Sequence, residues 1–294
     1  MESTNYSRKE FLKLIGCGAA SLTFSGCSGW KNSEKGKDVA PIAFQLYTVR
    51  REIEKDLEGT MHKLADIGFI GVETYALPAN IALAQAAKVF KDCGLKVIGM
   101  HTELPMGDQR DNILRMADAY NCDDVIYPGW PQGDKYKNLD ATERTADTYN
   151  EAASFLKTKG LHFGLHDHWW EFEKTDGIYP FYYLLEHLEH NVFFEIDTYW
   201  VKTGGQNPAQ VVADFGERAP FLHIKDGPAI KGDKAYEQVS AGSGTMDFPS
   251  IVKAGGSNIK WMIVEFDEYA GNIFEGVQSS YSYLTKNKLA KGKV

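Results

Sequence analysis

From Pro41 onward the apolar residues follow two alternating rhythms. Short β-rich runs occupy Ile42–Tyr47, Gly71–Thr74, Lys96–Met100, Asp124–Tyr127, His162–Leu165, Val192–Ile196, Phe221–Ile224 and Trp261–Glu265. Between them, apolar residues recur at helical spacing in Leu57–Ile67, Ile81–Asp92, Gln109–Tyr120, Glu143–Lys159, Phe181–Leu188, Pro208–Glu217 and Phe248–Ala254, and Ile273–Leu284 follows the last run. Gly68, Gly94 and Gly160 each stand after a helical segment and just before a strand, where a residue of positive φ closes a helix. Eight strand–helix repeats without a Pro/Gly/Ser linker predict a single (β/α)₈ TIM barrel over residues 41–294.

That fold makes the strand ends informative, because active sites of such barrels sit at the C-terminal face. Reading the ends in turn gives Gln45 and Tyr47, Glu73, His101 and Glu103, Tyr127, His166 and His168, Asp197, His223 and Lys225, then Glu265 and Asp267. One His or Asp at a strand end is more often a cap or a satisfied hydrogen-bonding group than a ligand. Convergence changes this, since several buried carboxylates and imidazoles at one mouth need a cation among them. The candidate ligands are His166, Asp197, His223 and Glu265, from the fifth to eighth strands. Two imidazoles and two carboxylates suit one divalent ion, Mn²⁺, Co²⁺, Fe²⁺ or Zn²⁺ in preference to Mg²⁺ or Ca²⁺. Trp169, Trp170, Tyr199 and Trp200 crowd the same rim, either as a platform for a sugar or as packing. Lys202 and Lys225 are candidates to hold a substrate oxygen, Lys225 alternatively pairing with Asp226 or a neighbouring strand end.

Composition narrows the partners. The 294 residues are 43% hydrophobic and carry a formal net charge of −8. That balance opposes a nucleic-acid partner, which needs a concentrated basic surface. The beginning of the chain differs from the rest. A basic Ser7–Lys13 segment precedes a small, apolar run ending in Phe24-Ser25-Gly26-Cys27. It reads as a lipoprotein-type signal over residues 1–27 followed by a polar tether over 28–40, which would anchor the mature chain through Cys27 on the periplasmic side of a bacterial inner membrane. Cys93 and Cys122 fit as small core residues, although a bridge between them is open, and no zinc spacing is visible. A homo-oligomer is compatible with the sequence.

Late in the chain, "EIDTYWVKTGG" (Glu195–Gly205), "LHIKD" (Leu222–Asp226), "SAGSGTMDFPSIV" (Ser240–Val252) and "IVEFDE" (Ile263–Glu268) occur in order and spacing that resemble the xylose isomerase-like barrels, the sugar phosphate isomerase/epimerase group. The resemblance covers about residues 41 to 290. It implies a metal shell of an acid after the fifth strand, an Asp after the sixth, a His after the seventh and a Glu after the eighth, and Asp197, His223 and Glu265 match by position. His166 stands where the epimerases place a glutamate, so the symmetric pair of acid/base carboxylates is gone. A branch of the family with a His-x-His pair at this point is more similar. The resemblance implies a carbohydrate substrate and proton abstraction beside a carbonyl through a metal-stabilised enediolate. Glu265 is the first candidate base, with His168, His101 or Glu73 as the second acid/base group, and Gln45, Glu73, Trp169, Trp200, Lys202 and Lys225 as substrate contacts. The same enediolate serves an isomerase or epimerase and, where a β-substituent leaves, a lyase or hydratase. A catalytically silent sugar-binding lipoprotein is the alternative of another class. The related apurinic endonucleases are disfavoured by the acidic balance and the export signal.

Overall fold

A computed structural model describes residues 39–293. The proposed signal and most of the tether, Cys27 included, lie outside the described residues. Eight parallel strands close into one barrel in chain order: β1 (Ile42–Gln45), β2 (Gly71–Thr74), β3 (Lys96–His101), β4 (Asp124–Tyr127), β5 (His162–His166), β6 (Phe193–Asp197), β7 (Phe221–Ile224) and β8 (Trp261–Val264). Closure runs through β1 and β8, with Ala43 opposite Ile263 and Phe44 opposite Val264. Ten α-helices follow among the described residues: α1 (Arg50–Ile53), α2 (Leu57–Ile67), α3 (Leu83–Asp92), α4 (Gln109–Tyr120), α5 (Leu139–Thr158), α6 (Pro180–His187), α7 (Thr198–Thr203), α8 (Pro208–Phe215), α9 (Phe248–Gly255) and α10 (Ile273–Lys286). No helix among them is long and apolar enough to cross a membrane.

The expected strands and long helices appear within a few residues of their sequence bounds. Asp56, Asn138, Asn207 and Asp247 cap α2, α5, α8 and α9 by accepting backbone N–H groups of the first turn. Gly68 ends α2 at φ 114°, which only glycine adopts freely. The short α1 and α7 were not expected. The α7 sequence hides its helix because Thr198, Tyr199, Trp200, Val201 and Thr203 are all buried, leaving no polar face to set a period. Cys93 and Cys122 are buried and free.

The pleat divides each strand between two cores. Outward side chains such as Phe44, Phe194, Leu222 and Val264 pack under the helices in one large apolar layer. Ala43, Ile98, Ile126, Phe221 and Ile263 form a separate small cluster. Two residues further along the same faces stand Gln45, His223 and Glu265, so an apolar floor gives way to polar groups toward the C-terminal mouth.

Candidate active site

Two tiers of polar side chains rise from that floor. Period-two alternation places Phe193, Glu195 and Asp197 of β6 on one face, and Phe221, His223 and Lys225 on one face of β7 and its extension. Glu195, His223, Glu73 and Gln45 are fully buried.

In the inner tier, Oε2 of Glu195 lies 2.7 Å from His101 Nε2, 3.2 Å from His166 Nδ1 and 3.2 Å from His223 Nε2. Oε2 of Glu73 lies 2.8 Å from His223 Nε2 and 3.2 Å from His101 Nε2. Gln45 Nε2 donates to that same Glu73 oxygen at 2.6 Å. Gly99 makes room for this carboxylate, since a Cβ there would stand 2.7 Å from Glu73 Oε1. Burial opposes charge on His101, but the Glu73 and Glu195 carboxylates outweigh it and push its pKa up to about 10. Glu195 shows the converse: burial disfavours its ionised form, yet His223 and His101 bring its pKa well below the usual carboxylate range.

The outer tier is organised by Lys225. Its ammonium lies 2.9 Å from Asp197 Oδ2, 2.8 Å from Glu265 Oε2 and 2.9 Å from Asp267 Oδ2. Burial opposes the charge, and the three carboxylates overcome it, holding the pKa well above the ordinary lysine value. Asp197 also caps α7 through Oδ1, which accepts from the N–H groups of Tyr199 and Trp200. Burial raises its pKa to about 6 against the opposing pull of Lys225 and His223. His223 joins the tiers, with Nε2 in the inner one and Nδ1 2.6 Å from Glu265 Oε2.

The expected ligands therefore divide. Asp197, His223 and Glu265 form one compact group, whereas His166 groups with His101, Glu195 and His223. The outer group brings together one imidazole and two carboxylates that could hold a divalent ion, with Lys225 lying among the carboxylate oxygens. The inner group, three imidazoles and a carboxylate, is likewise a donor set for a borderline divalent ion, and Glu195 Oε1, like Asp197 Oδ2 in the outer group, is buried without a hydrogen-bond partner.

Above both tiers lies a cleft of about 410 Å³. His101, His166, His168, Lys225, Glu265 and Asp267 reach it, with Tyr47, Tyr75, Trp130, Trp200 and Tyr236 as aromatic walls. His168 stacks on Trp170 with ring centroids 4.2 Å apart, and its Nδ1 is buried without a partner. Burial and the nearby Lys225 charge hold its pKa well below the ordinary histidine value, so the ring is neutral. Of the expected substrate contacts, Gln45 and Glu73 lie beneath the cleft rather than on its wall. Trp169 packs against the core, and Lys202 donates to the Thr245 carbonyl, outside the cleft lining. Lys225 pairs with the strand-end carboxylates rather than with Asp226, which binds backbone N–H groups instead. Trp170 and Tyr199 are packing. Sequence reasoning missed Glu195 because it read strand ends alone; its position two residues before Asp197, on the same face, was the available signal. Trp130, exposed at the rim, carried no such signal.

The model of the xylose isomerase-like TIM barrel family matches residues 61–279, and the chain belongs to that family. No curated protein matches the chain. Among solved structures, it is similar to a sugar phosphate isomerase/epimerase from Parabacteroides distasonis, with 23% identity and a TM-score of 0.72 over 87% of this chain and 97% of that one. It is also similar to D-psicose 3-epimerase, solved in the presence of D-fructose, with 13% identity and a TM-score of 0.64 over 85% of this chain and 100% of that one. A third is a probable 3-DHS dehydratase involved in petrobactin synthesis from Bacillus anthracis, with 12% identity and a TM-score of 0.67 over 83% of this chain and 98% of that one. At these identities the likeness carries the fold alone.

Proposed function

We propose that the chain is a divalent-metal-dependent sugar isomerase or epimerase that takes a proton from the carbon beside a carbonyl. One observation carries the reading: the same cleft is lined by Glu265, ionised, and His168, neutral, between aromatic walls. Burial alone would favour protonation of Glu265, but Lys225 and His223 keep it charged, so a base is present at neutral pH. Lys225 keeps its charge beside the site of proton transfer and stabilises negative charge developing on a substrate oxygen. Glu265, now carrying that proton, returns it to the neighbouring carbon for isomerisation; for epimerisation a proton relayed from solvent through His168 reaches the opposite face of the same carbon, and Glu265 releases its own to solvent. Trp200 and Tyr236 offer faces to sugar C–H groups. A divalent ion held by the ring nitrogens and carboxylates beneath the cleft would acidify the abstracted proton by polarising the carbonyl.

The asymmetry of the site favours a second outcome from the same step. With His166 in place of a fifth-strand carboxylate, Glu265 has no mirrored partner, which suits expulsion of a β-substituent, as in a lyase or hydratase. The substrate is then a keto-sugar or keto-glycoside met on the periplasmic side, where the Cys27 anchor would hold the enzyme.

Incubation of the metal-supplemented protein with a panel of keto- and aldo-sugars in deuterated water tests both. Mass spectrometry should find deuterium on a carbon next to the carbonyl, or a product lighter by the lost substituent. Glu265→Gln should slow either by about 100-fold or more, the ordinary worth of a positioned base. Exchange at the wild-type rate in that variant, or none with any sugar, would count against the reading.

A further inference from the structure

The mouth of the cleft offers more than the reacting ring can use, and we propose that the substrate is a glycoside whose second ring, a sugar or an aryl group, stacks on Trp130 above the site of proton transfer. This rests on the carbohydrate reading above and decides between a free sugar and a glycoside. Single exposed hydrophobic side chains are ordinary on a protein surface. Here they are gathered. Of the four large hydrophobic side chains left exposed among the described residues, Tyr47, Trp130, Ile230 and Tyr236, three line this one cleft. Trp130 is the most open, at 58%. The reacting groups lie deeper, with Glu265 5% and Lys225 2% exposed. A ring whose carbon reaches Glu265 therefore sits beside the buried Trp200 and leaves the Trp130 indole facing water.

Trp130 is held in place before any ligand arrives. Its ring centroid lies 5.6 Å from that of Trp170 and 5.8 Å from that of His168, tilted by 49° and 47°. Lys135 Nζ donates to the carbonyls of Gly129 and Pro131, on either side of the indole in the chain. Gly129 turns the loop at φ 76°, with the His166 carbonyl oxygen 3.3 Å from where a Cβ would stand. The loop is thus tied to the segment that carries His168, and a surface ordered in advance loses little freedom on binding. Its flat apolar face suits the C–H face of a sugar or an aryl ring. The charges favour a neutral second ring over a phosphate ester. Besides its histidines the lining carries four carboxylates, Glu103, Glu265, Asp267 and Glu268, against the single ammonium of Lys225.

Binding of glucose, cellobiose and phenyl β-glucoside to the full-length protein, followed by calorimetry and by acrylamide quenching, tests this without turnover. Trp130 is the one exposed tryptophan among the described residues, so a ring seated on it should shield it from the quencher. Cellobiose, phenyl β-glucoside or both should bind about 10-fold more tightly than glucose, the pattern identifying the second ring as sugar, aryl or either. In Trp130→Ala that ratio should fall toward one, and Trp130→Phe, which keeps a flat face, should restore most of it. Two-ring binding no tighter than that of glucose, absent binding included, overturns the inference. So does a preference that survives Trp130→Ala. Tyr236 also lines a neighbouring depression of about 720 Å³, and a preference lost in Tyr236→Ala but kept in Trp130→Ala would seat the ring there instead. Deuterium exchange into monosaccharides alongside either failure leaves the isomerase reading intact. Absence of exchange with every sugar, while Trp130 is shielded as expected, overturns that reading and leaves the second-ring seat standing.

Discussion

Glu171 shows what burial does to a single group here. It follows the His-x-His pair, is almost wholly buried, and accepts the His168 backbone N–H at 2.9 Å. Burial pushes its pKa from 4.5 up to about 8, against the smaller pull of the His168 and Glu171 backbone N–H groups. The folded state therefore holds this proton where the unfolded chain has released it. Its contribution to stability is fully present below the unfolded pKa and is lost as pH rises through about 8. Glu171→Gln keeps the acceptor and removes the proton. The variant should melt with the wild type near pH 4 and increasingly above it as pH rises from about 4.5 to about 8, the gap levelling off beyond that at a few degrees or more in thermal scans. Equal melting at both pH values would show that the carboxyl is not buried in its neutral form.

At the scale of elements, the loop from β7 to α9 is held by one carboxylate. Asp226 accepts the backbone N–H groups of Gly227, Gly242, Gly244 and Met246 at 2.8–3.1 Å. A Cβ on Gly244 would come within 2.2 Å of Asp226 Oδ1, so the close approach requires glycine. Asp226→Asn would turn an amide NH₂ toward N–H donors. It should cost on the order of 3 kcal/mol in chemical denaturation, with faster amide exchange at Gly242, Gly244 and Met246. Unchanged exchange at these amides would mean that the loop is fixed by other contacts. The "IKD" and "SAGSG" segments showed this loop only as a motif, because pairing between Asp226 and backbone twenty residues away leaves no local period to read. Strands and long helices were legible because burial on one face imposes a repeat, and α7, buried on nearly every side, was not. The site was legible to the same extent. Strand ends named Asp197, His223 and Glu265, while the grouping of His166 with Glu195, and Lys225 among three carboxylates, depends on the radial geometry of a closed barrel.

For the molecule as a whole, the N-terminal segment gives a prediction independent of the catalytic reading. Cys27 is expected to carry lipid. A bacterial host fed labelled palmitate should label the wild-type chain and leave Cys27→Ser unlabelled and released from membranes; label on both, or on neither, would remove the anchor from the account. The folded domain adds a different consequence through β6. Glu195 and Asp197 share one face and are separated by one pleat repeat, about 6.5 Å along the strand. Polar groups on neighbouring strands follow the same spacing, so the barrel presents stacked rungs rather than one fixed ring. Exchanging a single side chain for its like one rung lower would change the depth at which positive charge meets a substrate. A lineage using this scaffold can thus move its chemistry along the barrel axis by point substitution, with every loop and every backbone hydrogen bond left in place.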